Sequence, residues 1–464
     1  MQRLFAIAWL TWKAAFRFRL FLVIAVLLLA SVIGLPLLVK DDGTARGFTQ
    51  ILLTYTLTVI TGLLGLSTLW LSCGTLARDI EECQMQVVAT KPIARWQIWL
   101  GKWLGIMLLN AALLALSGMC IYGLLYWRAA RLPEAEQKNL REQVLVARGS
   151  AKPQDYTAAI DAETERILQE RLKANPELNH FADLAEVRRQ IREQIKVPYQ
   201  LVPPDYSREW RIDLGFAKNF LHDQPLQLRV KFNAAESVVP GTYLALWQVG
   251  MPETARLWRT QEPMSLASDT FHEFQIPPNL FDDNGVLTVV FVNPNNTSLL
   301  FPLEDGMEVL YPQGGFALNF ARGLGIILCW MAFLAALGLT AASFLTFPVA
   351  AFFSMSVLVV MLSGRTLAET VESGTIMGGN AETGIMGHSI ADAVLIPLFK
   401  GCLVIINLVQ GFSPIDALSG GRSISWTELG SAFGQIVLLL GGIIGVIGVI
   451  LFNRRELATA QGSQ

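Results

Sequence analysis

Charge is scarce in this chain. Asp, Glu, Lys and Arg make up 16% of its 464 residues, against about 25% in an ordinary soluble protein. That scarcity excludes a disordered chain, a basic nucleic-acid binder and a typical cytosolic enzyme. The formal net charge of -2 gives no overall pull toward an acidic or basic partner, nucleic acid included. Cysteine is also rare: five residues and no C-x-x-C pair, so no disulfide scaffold is expected. Histidine occurs four times, at His180, His222, His272 and His388, scattered and with only Asp223, Glu273 and Asp392 as near acidic neighbours. Neither a metal site nor a catalytic triad follows from that. The chain has no G-x-x-x-x-G-K-[ST], H-E-x-x-H or G-x-S-x-G run, and so no P-loop, zincin helix or nucleophile elbow of its own. No enzyme activity is expected.

What is abundant is apolar sequence: 52% hydrophobic residues and a mean hydropathy of +0.43. Six runs are long enough for a bilayer span, which takes roughly 20 residues: 20–39, 51–75, 103–127, 324–345, 348–364 and 431–452. The fifth is short, and Pro348 marks a tight turn before it. None holds an ionisable acid or base in its interior. Carriers driven by protons or ions usually need such groups at membrane depth, so transport energy would come from outside the chain. Basic residues cluster before the first run (Arg3, Lys13, Arg17, Arg19), between the second and third (Arg78, Lys91, Arg95, Lys102) and after the last (Arg454, Arg455). The positive-inside rule puts all three groups, and both termini, in the cytoplasm.

The first 19 residues read as an interfacial helix, not a cleaved signal peptide, since no Ala-x-Ala site follows. At 100° per residue Phe5, Trp9, Trp12 and Phe16 share one sector, with Arg3, Lys13 and Arg17 beside it. Residues 128–323 form an external α+β domain. Its first part, 128–200, is charged and helical, broken at Lys152-Pro153 and Asn175-Pro176; Phe181, Leu184, Val187, Ile191 and Ile195 mark one apolar helix face. From 201 to 315 the pattern turns to strands. Leu226, Leu228, Val230 and Phe232 alternate with polar residues, while 242–249 and 286–292 are apolar on both faces. A β-sandwich of seven or eight strands is expected, with Trp210, Trp247 and Trp258 in its core. Residues 365–430 form an external loop. Within it 390–412 is apolar but interrupted by Pro397, Lys400 and Gly401, which suggests a re-entrant pair or an interfacial helix in place of a seventh span.

The most informative segment is cytoplasmic, 76–102. It runs Arg78-Asp79-Ile80-Glu81-Glu82, an apolar stretch with Val87-Val88, then Lys91-Pro92-Ile93-Ala94-Arg95 and Gly101-Lys102. Before the last span stands Phe412-Ser413-Pro414-Ile415-Asp416, and Leu451-Phe452-Asn453-Arg454-Arg455-Glu456-Leu457 closes it. In this order the chain resembles the permease subunit of type-2 ABC exporters over about 270 residues of membrane region, with Cys83-Gln84-Met85-Gln86 replacing the family's usual Gly-Thr. The resemblance implies a six-span half-transporter in a bacterial inner membrane, paired with a second permease copy or paralogue. It also implies separate ABC ATPase subunits that bind the ATP and Mg, leaving this chain without a cofactor. The ATPase stroke would be received by Arg78, Asp79, Glu81, Glu82, Lys91, Pro92, Arg95 and Lys102 and by the interfacial helix of Trp9, Trp12, Lys13 and Arg17, beside membrane lipid. Two other readings stay open: a scaffold or sensor that anchors the external domain, and a mechanical transporter acting on external partners.

Reporter fusions or cysteine labelling should place Lys91 and Gln464 inside, and Asp161 and Gly285 outside. Gln464 outside would overturn the six-span map.

Overall fold

The computed structural model describes residues 2–17, 20–38, 45–82, 85, 93–140, 145–174, 184–235, 241–251, 256–376 and 391–455. The chain divides into two compact units. The first, Met1–Ala147, Gly314–Glu369 and Ala393–Gln464, is helical; the second, Arg148–Gln313 with Thr370–Asp392, is mostly β.

The helical unit begins with α1 (Gln2–Arg17), α2 (Leu20–Leu38), α3 (Ala45–Glu81), α4 (Arg95–Ala129) and the short α5 (Glu134–Asn139). The β unit carries α6 (Thr157–Ala174) and α7 (Leu184–Gln200). The helical unit resumes with α8 (Phe316–Phe344), α9 (Phe347–Leu362), α10 (Gly364–Ser373), α11 (Asp392–Gln410), α12 (Pro414–Ser419), α13 (Trp426–Ala432), a nine-residue π-helical stretch Phe433–Gly441, and α14 (Gly442–Arg454). Among the described residues, five helical runs are long and apolar enough to cross a membrane, or six when α9 and α10, bent by 61°, count as one. α2 adds a shorter apolar run, Val23–Gly34. The composition and these helices are those of a multi-pass membrane protein.

α8 is the axis of the bundle. It packs against α3, α4, α9, α12, α13, the π stretch and α14. Its second half interleaves buried Leu334, Leu337 and Leu339 with small residues, Ala335, Ala336, Gly338, Ala341, Ala342 and Ser343, also buried. A side chain at Gly338 would collide with Ser72. Close approach lets neutral polar groups tie the helices, as small-residue membrane interfaces do. Trp103 Nε1 donates to the Ala332 carbonyl at 3.0 Å, Thr340 Oγ1 to that of Ile444 at 2.9 Å, and Thr68 Oγ1 to Asn110 Oδ1 at 3.1 Å.

Two expectations change. The helices run well past the apolar spans, so α4 starts eight residues before 103 and Lys102 lies within it. Residues 392–410 form one continuous helix through Pro397, Lys400 and Gly401. Within the expected external loop of 365–430, residues 377–390 lie outside the described residues.

The β unit is a sandwich of a four-stranded sheet, β1-β12-β4-β9, and a five-stranded sheet, β3-β10-β6-β7 with β8 on β6. Its strands are β1 (Val146–Ala151), β2 (Leu201–Val202), β3 (Ser207–Asp213), β4 (Leu226–Val230), β5 (Asn233–Ala234), β6 (Thr242–Gly250), β7 (Leu257–Arg259), β8 (Met264–Ala267), β9 (His272–Ile276), β10 (Val286–Val292), β11 (Leu299–Leu300) and β12 (Met307–Gly315). A three-stranded sheet, β2-β11-β5, completes it. One core serves both large sheets: Leu226, Leu228, Val230 and Val309 meet Ile212, Trp247, Val249, Val289 and Phe291. Trp210 and Trp247 are buried there, and Trp258 packs against it. β6 and β10 are interior strands, as their two-sided apolar pattern implied.

β1 corrects the sequence reading, which made all of 128–200 helical. Its Arg148 is needed in the sandwich. On the face of the four-stranded sheet away from the core, Arg229 lies in register with Glu308 and Glu273. Arg229 Nη1 sits 3.1 Å from Glu308, Arg148 Nη1 2.9 Å from Glu273, and Ser150 donates to Glu308 at 2.7 Å. The Glu273 and Glu308 side chains are only 4% and 3% exposed. β4 itself alternates buried and half-buried positions as expected, and the two buried carboxylates stand on the strands either side of it.

A fragment of residues 145–313 should therefore be soluble and give a mixed helix and sheet circular dichroism spectrum. Arg148→Ala leaves a buried carboxylate short of a cation, so its urea midpoint should fall by the equivalent of roughly 3–5 kcal/mol. A fragment that starts at residue 155 should not fold.

Candidate functional site

Five helix ends and one helix flank converge at one end of the bundle, the near end. Here α3 stops at Glu81, α4 starts at Arg95, α8 gives way to α9 at 344–347, and α14 stops at Arg454. The last carbonyls of a helix have no partner within it, and two arginines supply donors. Arg95 Nη1 donates to the carbonyls of Phe452, Asn453 and Arg455 at 2.6, 3.0 and 2.9 Å, closing α14. Arg455 Nη1 donates to those of Ala342 and Leu345 at 3.0 and 3.3 Å, closing α8. Burial pulls the Arg455 guanidinium below its ordinary pKa, and the Glu81 carboxylate pulls it back.

The acidic residues act on the opposite kind of end. Glu81 Oε1 accepts the Phe347 N–H at 2.9 Å, so the end of α3 caps the start of α9. Arg78 stacks on the Phe347 ring, 4.4 Å from its centre, and Trp70 meets the same ring edge-on at 5.1 Å. Lys102 Nζ donates to Asp79 Oδ2 at 2.5 Å and to the Thr75 carbonyl at 2.8 Å. The Lys102 side chain is 9% exposed and that of Asp79 32%, so the pair fastens α4 to α3 from inside.

α1 lies along the flank of α4. Gly101 and Gly105, one turn apart, make the seat. A Cβ on Gly101 would come within 2.8 Å of Ile7, and one on Gly105 within 2.7 Å of the Ala8 carbonyl oxygen and Thr11 Cβ. This is the small-x-x-x-small pattern that lets two helix backbones touch. Ala8 and Thr11 are buried in the contact, and Trp12 packs on the bundle core. Phe5 and Trp9 point outward, Trp9 57% exposed, with Lys13 Nζ 5.6 Å from its ring.

Of the residues assigned to ATPase coupling, the fold gathers Arg78, Asp79, Glu81, Arg95 and Lys102 at this one end. It engages each within the chain, where the sequence reading had them facing a partner. Glu82 is exposed. Lys91, Pro92, Val87-Val88 and the side chain of Arg17 lie outside the described residues. Of the interfacial-helix residues, Trp9 and Lys13 are outward and Trp12 is not. The sequence reading missed Arg455 as a structural clamp and Gly105 as half of the α1 seat. The spacing Gly101-x-x-x-Gly105 carried the second signal; only tertiary structure carries the first.

The opposite, far end has its own polar ties. Asn319 Nδ2 donates to the Arg422 carbonyl and its Oδ1 accepts the Ile424 N–H, both at 2.7 Å; Arg322 donates to the Ile424 carbonyl and stacks on Trp426. Exposed Tyr126 and Trp127 end α4 there, and Arg131 lies 3.8 Å from the Trp127 ring centre.

Comparison with protein families, curated proteins and solved structures gives no match for this chain.

Arg95→Lys should not replace the wild type, because an ammonium lacks the planar, many-donor fork of a guanidinium. The purified protein should lose roughly 1.5–3 kcal/mol, the usual worth of a hydrogen bond to a charged group. Gly105→Leu should unseat α1, and limited proteolysis should then cut within residues 2–17 while the rest stays resistant.

Proposed function

We propose that the chain is the permease subunit of an ATP-binding cassette exporter, powered by a separate ATPase and working beside a second permease. The observation that carries this reading is the near end. A force applied there acts at once on α1, α3, α4, α8, α9 and α14, because each is joined to a neighbour by a cap, an ion pair or the α1 seat. A scaffold that only anchors an external domain has no use for such a junction.

The membrane frame supports it. Lys102 and Arg128, both within α4, bracket its apolar part and stand 26 residues apart, about 39 Å at 1.5 Å per residue, enough to span a hydrocarbon core of about 30 Å. Exposed aromatic residues mark both levels, Trp9 and Trp96 at the near end, Tyr126, Trp127 and Trp426 at the far end. The near end is the cytoplasmic one in this reading.

The contact with the ATPase is drawn differently from the sequence alone. Arg95, Lys102, Asp79 and Glu81 transmit the motion, and the docking surface is the outward face of α1, with Glu82 and the residues that follow it. The chain should co-purify with an ATPase encoded beside it. Trp9→Ala with Lys13→Glu, or Glu82→Lys, should lower substrate-stimulated ATP hydrolysis by the equivalent of about 2 kcal/mol, roughly thirtyfold, with membrane insertion and melting temperature unchanged. Failure to capture any ATPase would overturn the proposal. Unchanged stimulation in both variants would move the docking surface elsewhere.

A further inference from the structure

One end of the sandwich is built from connections that the strand register brings together. β3 ends at Asp213, opposite Val286 where β10 starts. β4 starts at Leu226, opposite Ile276 where β9 ends. β6 ends at Gly250, opposite Leu257 where β7 starts. The β3–β4 turn and the β9–β10 loop, with Arg256 just ahead of β7, line a cavity of about 580 Å³, within the size range of small-molecule sites. Every lining residue belongs to the β unit.

The chain itself fixes these walls. Asn279 Nδ2 donates to Asp223 Oδ1 at 2.8 Å, and Asn279 Oδ1 accepts the Asp223 N–H at 3.2 Å, which ties the turn to the loop. Asp282 Oδ1 accepts the Val286 N–H at 2.7 Å, and the Gly285 carbonyl accepts the Leu214 N–H at 2.9 Å. Gly285 has a φ of +87°, and a Cβ there would come within 2.8 Å of the Lys218 stem. The glycine thus lets Lys218 lie along the loop, with its Nζ held 3.4 and 3.3 Å from the carbonyls of Asp283 and Asn284. Phe281 reaches the cavity from the sandwich core, and the His222 ring stands 5.6 Å from it.

The lining decides what can enter. Lys218 and Arg256 face Asp282 and Asp283, and Arg256 Nη1 lies 3.6 Å from Asp283. A ligand with a net charge of either sign would meet repulsion as well as attraction. A purely apolar one would strip water from these charges and return nothing. Asn219 and His222 are exposed and make no hydrogen bond among the described residues. An amide and an imidazole, each able to donate and to accept, are therefore open beside an aromatic ring. Lys218 has no carboxylate partner among the described residues, and two long contacts leave its ammonium a third N–H. A neutral ligand dense in groups that both donate and accept answers all of this, and hydroxyls on a sugar ring are such groups.

We propose that this end of the sandwich binds an uncharged carbohydrate, its hydroxyls contacted by Lys218, Asn219 and His222. The site lies in the β unit alone and stands whether or not the chain is a transporter subunit.

The test uses the full chain in phospholipid nanodiscs, free of sugar detergents, and saturation-transfer difference NMR. The probes are the methyl glycosides of glucose, galactose, mannose and N-acetylglucosamine, with acetate and choline as an anion and a cation. At least one glycoside should receive saturation from the protein, and none from empty nanodiscs. Asn219→Ala with His222→Ala should weaken that binding by roughly tenfold, the loss of two hydrogen bonds. Asn219→Trp, which fills the cavity, should abolish it. Melting temperatures should not change, since neither side chain holds the fold by a hydrogen bond. Saturation of no glycoside, or glycoside binding undiminished in both variants, would overturn the proposal. Saturation of acetate or choline alone, lost in Asn219→Trp, would make this an ion site and overturn it too.

Discussion

A helix must find partners for its terminal carbonyls and amides, and in this bundle that need is met by other helices. Arg95 gives one guanidinium to three carbonyls at the end of α14, Arg455 gives one to two carbonyls at the end of α8, and Glu81 takes an amide of α9. Each donor or acceptor sits at the end of a different helix, so no end can shift without releasing another. The charges thus make a junction first and a surface second. Arg95 and Arg455 are half-buried, which raises the cost of removing either one and leaving carbonyls without donors.

Much of this was legible. The apolar runs located the long helices because nothing but lipid-compatible sequence goes so far without charge. The turn at Pro348, the strands at 226–230, 242–250 and 286–292 and the core tryptophans were all readable from pattern. Two kinds of feature were not. Arg455 and Arg95 are far apart in sequence, and an arginine near a span end reads equally as an orientation signal or as a cap. Arg148 lies in a charged segment with helical neighbours on either side, and only pairing with β12 makes it a strand. In both cases the deciding partner is more than a hundred residues away.

The same pair of residue types serves the two units differently. In the sandwich, Arg148, Arg229, Glu273 and Glu308 form a buried network across strands in fixed register. Such a network adds little net stability over an apolar surface but penalises any other register. In the helical unit the Asp79–Lys102 pair has one partner partly open to solvent, which lessens its desolvation cost and fixes the rotation of α4 against α3. α8 needs no such device, since its small residues already dictate how closely each neighbour may come.

The seat of α1 has a consequence for how the chain is made. Ala8 rests on Gly105, and 97 residues separate them. At a synthesis rate of 5–20 residues per second, α1 exists for roughly 5–20 s before its groove does. During that interval the faces of Ala8 and Thr11, later covered by α4, have no protein to rest on. Phe5 and Trp9 stay outward in the finished bundle, so α1 carries one apolar face that its seat never covers and another that stays open until α4 has been made.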